Sequence, residues 1–180
     1  MLSYNGESIL LAPDVGRRIT VYRGQKSWDP GMTIEASSRR CAAGLPRQRA
    51  DWTTALLTQF SRNLAGSIRG QQDSKKRLES LMLNAQQFAF QNPFVSCSYS
   101  YAVARGFANA GDTQGYLLTV EGPWYSGFDF EFVRGLLGLY GDAFDYLLEF
   151  GLPETLGSPF SMVKVERYDD PWSPPVRIYP

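Results

Sequence analysis

Histidine is absent from the 180 residues, and this removes whole classes of chemistry. No Ser-His-Asp or Cys-His relay can be assembled, and His-ligated zinc is excluded. Cysteine is scarce: Cys41 and Cys97 are too few for a disulfide framework or a Cys-rich metal site, so no metal is expected and at most one bridge. Nowhere do about 18 apolar residues follow one another, as a membrane helix requires. The N-terminal stretch Met1–Pro13 has a short apolar run at Ile9–Ala12 but no basic region leading into a long one, so it does not read as a signal peptide. The expectation is a soluble chain without a membrane partner. Net charge is also lacking, since 18 Lys and Arg balance 18 Asp and Glu. The charges are nonetheless divided. Residues 1–80 hold 13 basic against 7 acidic side chains and residues 81–180 hold 5 against 11. A basic first half suits an anion such as a dinucleotide phosphate, or else the two halves attract each other or solvate separate faces.

What is present is apolar and aromatic. With 43% hydrophobic residues the chain has enough mass for one cored domain, read as residues 1–180, and too little length for two. Arg18–Gly24 alternates with period two and predicts a strand, with Ile19, Val21 and Arg23 on one face. Residues 25–46 read as loop with at most a helical turn. Helical spacing of Trp52, Ala55, Leu56, Phe60 and Leu64 predicts a helix from Asp51, and a second follows Asp73–Ser74 with Leu78, Leu81, Met82, Ala85, Phe88 and Ala89 inward. Pro93–Ser98 predicts a strand, Tyr101–Ala110 a small-residue helix closed by Gly111, and Tyr116–Val120 a buried strand. Gly122–Phe132 reads as an aromatic loop before a short helix near Phe132–Tyr140. Tyr146–Leu152, Met162–Tyr168 and Val176–Tyr179 complete the strands. The fold class is α+β, with helices inserted between the first two strands.

Three polar residues interrupt apolar strands, where a charge or hydroxyl needs a partner. They are Arg23 in VYRG, Ser96 in PFVSCS and Glu149 in YLLEFGL. Singly, each has an ordinary reading as a strand-end cation, a packed hydroxyl or a rim carboxylate. Their order and contexts together carry more.

That order resembles the arginine–serine–glutamate class of mono-ADP-ribosyltransferases, which includes many bacterial toxins. The first-strand arginine looks like Arg23, followed by Gly24. The Ser-x-Ser motif looks like Ser96-Cys97-Ser98, leading to a helix with Ala104, Gly106, Phe107 and Ala108. The late-strand glutamate looks like Glu149, followed by Pro153. The resemblance spans residues 18–168 and implies two packed, mainly antiparallel sheets forming an NAD cleft. It implies NAD as co-substrate, with Glu149 stabilising positive charge on the ribose, Ser96 orienting that carboxylate and Arg23 gripping the diphosphate. Gly24 backbone groups would hold the nicotinamide amide, Ser98 would line the site with Ser96, and Tyr101 or Phe107 would stack on the ring, although core packing is the competing role for Phe107.

One departure stands out. Many arginine-modifying members carry an acidic or amide residue two positions before the glutamate, where this chain has Leu147. The resemblance further implies a macromolecular acceptor, protein ahead of RNA or DNA, met by the stretch Gly122–Asp145 with its aromatic and acidic side chains. The alternative for that stretch is a hydrophobic cluster pinning a long loop. It also implies a secreted or injected effector acting in a target-cell cytoplasm, with a neutralising immunity protein as a further partner. An NAD glycohydrolase and a non-catalytic binding module are the competing functions.

Overall fold

The computed structural model describes residues 2–4, 7–9, 17–36, 94–110, 113–124, 127–137, 145–152 and 156–180. The helices expected from Asp51 and Asp73–Ser74 lie outside these residues, as does Cys41. A short antiparallel ribbon pairs β1 (Leu2–Tyr4) with β2 (Glu7–Ile9). The main sheet holds β3 (Arg18–Gln25), β4 (Val95–Ser98), β5 (Gly115–Pro123), β6 (Phe128–Asp129), β7 (Glu149–Leu152), β8 (Ser161–Tyr168) and β9 (Val176–Tyr179). Among the described residues it is seven-stranded and antiparallel, in the order β6-β7-β4-β3-β5-β8-β9. The α+β class is therefore met, but one continuous sheet stands where two packed sheets were expected. The physical reason is that β4 pairs on one side with β7 and on the other with β3.

That continuity is thin at one seam. β3 and β5 run in register from Arg18 opposite Pro123 to Gln25 opposite Tyr116, whereas β3 meets β4 at the single pair Tyr22 and Ser98 among the described residues. The sheet thus consists of two well-laddered halves joined at one point.

Alternation along the strands separates two faces. Ile19, Val21, Val95, Cys97, Leu118, Val120, Phe150, Leu152 and Val165 enter one buried core with Trp28, Ile34, Trp124 and Phe160. On the other face α1 (Tyr101–Ala108) lies across β3, β4 and β5. Ser100 caps it, its hydroxyl accepting the Val103 N–H. Ala104 and Ala108 face the sheet, and the fit requires glycine beneath: a Cβ on Gly24 would overlap the Ala104 carbonyl, and one on Gly115 the Ala108 carbonyl. α2 (Phe130–Leu137) follows β6, its first turn capped by the Asp129 carboxylate, which accepts the Phe132 N–H at 2.9 Å.

Four expectations from the sequence shift. Gln25 belongs to the strand rather than the following loop. The aromatic loop contains β6, and α2 starts at Phe130. Finally, Tyr146–Leu152 is not one strand: Asp145–Leu147 is a turn of 3-10 helix, Leu148 takes a φ of 46°, and β7 begins at Glu149.

Candidate active site

Arg23, Ser96 and Glu149 come from separate chain segments and meet across the seam. β4 sets Ser98 opposite Glu149 and Ser96 opposite Gly151, so the two serines and the glutamate share a face. The Ser96 hydroxyl donates to Glu149 Oε1. Arg23 belongs by alternation to the core face with Ile19 and Val21, and its guanidinium enters the gap where β3 and β4 part. There Nη1 donates to the Ser96 carbonyl oxygen at 2.7 Å, and Nε donates to Gln25 Oε1 at 3.1 Å. A side chain thus supplies, at this point, a hydrogen bond that a continuous ladder would draw from the neighbouring backbone. Arg23 is 7% and Glu149 3% exposed, so both charges lie largely out of water and depend on partners of this kind.

Ser98 does something different. Its hydroxyl donates to the Leu147 carbonyl at 2.6 Å and accepts the Ser100 N–H at 3.0 Å, tying β4 to the turn before β7. Gly24 lies under α1, where its lack of a Cβ serves helix packing. Tyr101 is half-buried. Its ring meets Tyr22 edge to face, and its hydroxyl is hydrogen-bonded with that of Tyr168 and donates to Glu166 Oε2 at 3.3 Å. Burial, then the bond with Tyr168, pushes the Tyr101 phenol above its ordinary range. Phe107 is not a core residue; it is 53% exposed on α1. Cys97 is a free, buried thiol, so no bridge forms through it.

The stretch Gly122–Asp145 was expected to offer an exposed aromatic and acidic surface, or else an apolar cluster. Its described part is mostly the cluster. Trp124, Phe128 and Phe130 are buried, with Phe94 stacked on Phe128 and edge-on to Phe130. Asp129 is tied inward, accepting from the Tyr99 hydroxyl at 2.8 Å and Trp124 Nε1 at 2.7 Å. The exposed apolar side chains beside the site are instead Tyr146 and Leu148, immediately before Glu149. Tyr125, Tyr140 and Asp142 lie outside the described residues.

Sequence reasoning missed Gln25, and it placed Glu131 only among the acidic side chains of Gly122–Asp145, not beside Glu149. Gln25 carries a signal, being two residues from Arg23 in one strand and hence on its face. Glu131 carries none, because its Oε1 accepts the Glu149 backbone N–H at 3.3 Å across a separation that only folding closes. Among the described residues no group of three His, Cys, Asp or Glu side chains could hold a metal ion, and no helix is long and apolar enough to cross a membrane. Comparison with protein-family models, with curated proteins and with solved structures finds no match.

Proposed function

We propose that this chain is a mono-ADP-ribosyltransferase that cleaves the nicotinamide–ribose bond of NAD and passes ADP-ribose to a macromolecular acceptor. The observation that carries the reading is the hydrogen-bonded series from the Arg23 guanidinium through Ser96 to the Glu149 carboxylate. The donor set suits the substrate. A guanidinium matches a diphosphate, and a carboxylate oriented by a hydroxyl matches a ribose that becomes cationic. The C1′–N bond breaks with its electron pair leaving on nicotinamide, whose ring nitrogen becomes neutral. Glu149 stabilises the cationic ribose, and an acceptor nucleophile then attacks C1′ and loses its proton. In the setting implied by the resemblance, the domain acts as a toxin in a target-cell cytoplasm, and a neutralising protein would oppose it.

Water as acceptor is the second reading, favoured by Leu147, an apolar side chain where a polar guide for an acceptor would stand. Incubation with adenylate-labelled NAD and cell lysate separates the two. Nicotinamide release with labelled macromolecules supports transfer, whereas release without labelling makes the chain an NAD glycohydrolase. Glu149→Ala, with an unchanged circular dichroism spectrum, is expected to lose at least about 100-fold in turnover, the scale of a lost electrostatic group at a reacting centre. A wild-type protein that leaves NAD intact overturns the reading in favour of a binding module, and a fully active Glu149→Ala overturns the role of Glu149 in the reaction.

A further inference from the structure

Glu149 opens β7 directly after Leu148, whose φ of 46° lies in the left-handed region that side-chain-bearing residues seldom enter. Such a conformation persists where the surroundings over-determine it. Three contacts do so here. The Ser98 hydroxyl donates to the Leu147 carbonyl at 2.6 Å, and the Tyr99 N–H donates to the Leu148 carbonyl at 2.9 Å. From the opposite side of β7, Glu131 Oε1 accepts the Glu149 N–H at 3.3 Å. The same oxygen lies 3.7 Å from Nε of Arg134, a guanidinium only 2% exposed in α2. A buried cation thereby offsets the second carboxylate brought to the Glu149 backbone.

We propose that Glu131, backed by Arg134, is a positioning residue. It anchors the Glu149 N–H while Ser98 and Tyr99 anchor the two preceding carbonyls, and the strained turn between these anchors fixes the direction in which the Glu149 carboxylate leaves the backbone. Ser96 then needs only to complete the orientation. The inference rests on Glu149 being the working carboxylate of the proposed NAD reaction. Glu131 acts on that carboxylate through the backbone and touches no reacting atom.

Glu131→Ala removes the acceptor, whereas Glu131→Gln keeps an amide oxygen in its place. In nicotinamide-release kinetics, Glu131→Ala is expected to lower kcat about 10- to 100-fold with KM held within about threefold, the cost of a misplaced group rather than of weaker binding. Glu131→Gln restores most of kcat. Amide hydrogen exchange at Glu149 accelerates in Glu131→Ala and not in Glu131→Gln. If Glu131→Ala does not fold, the comparison is made in a Leu148→Gly background, where glycine adopts the left-handed turn without strain. Unchanged exchange at Glu149, or faster exchange with unchanged kcat, overturns the positioning role while leaving the proposed reaction intact. Absence of nicotinamide release from the wild type overturns both.

Discussion

Cys97 stands between Ser96 and Ser98 in β4 and faces the opposite way, into the core. Burial pushes its thiol from 9.0 up to about 12; Arg23 pulls the other way and Glu149 adds to the rise. Burial raises the phenols of Tyr99, Tyr101 and Tyr168 as well, aided at Tyr99 by the Asp129 carboxylate. In each case the folded state holds its proton more tightly than the unfolded chain does. The associated stability is complete below pH 9 and is lost as pH rises, first through Cys97 between 9 and about 12, with the tyrosines joining above 10. Urea denaturation from pH 7 to 11 is expected to show falling stability above pH 9. Cys97→Ala should flatten the onset near 9 and leave the tyrosine portion. A variant with the wild-type slope between pH 9 and 10 contradicts this account.

At the scale of elements, α1 and β3 form one unit. The small residues Ala104 and Ala108 allow the helix backbone to approach the sheet so closely that Gly24 and Gly115 have no space for a side chain. Gly24→Ala would press a methyl group into helix backbone, which moves only with the whole helix. The expected loss is about 1 to 3 kcal/mol, the range of overpacked cores, read as a lower urea midpoint. If Gly24 served only to bring its backbone to nicotinamide, the substitution would raise KM for NAD and leave that midpoint in place. The same scale explains the late-strand region. An apolar run from Tyr146 to Leu152 reads as one strand, but Ser98 and Tyr99 capture the carbonyls of Leu147 and Leu148 and end the extended segment at Glu149.

For the molecule as a whole, the junction of β3 with β4 is the feature that brings the candidate site together. A pair of strands joined at one residue pair leaves backbone groups to be satisfied otherwise, and Arg23 does this for Ser96 while also holding Gln25. Arg23→Lys keeps the charge and loses the two-directional fork. Stability is expected to fall by about 1 to 2 kcal/mol in thermal denaturation, with faster amide exchange across Tyr22 and Ser98. An unchanged melting temperature would show that the seam does not depend on the guanidinium. Under the proposed role of Arg23 at the diphosphate, KM for NAD is expected to rise in the same variant.

The sequence by itself determined which residues alternate into the sheet, where β3, β4, α1, β5, β8 and β9 run to within a few residues, and that Arg23, Ser96 and Glu149 are polar side chains placed among apolar ones. Periodicity and local composition carry that information because they act over a few neighbouring residues. Only the tertiary structure decided that β4 joins both β3 and β7 in one sheet, that Asp129 turns inward, that Phe107 faces solvent and that Glu131 reaches the Glu149 backbone. These outcomes depend on strand pairing and packing between distant segments. The left-handed turn at Leu148 belongs with them: nothing in a leucine between Leu147 and Glu149 favours it, and it exists because three hydrogen bonds from Ser98, Tyr99 and Glu131 hold it there.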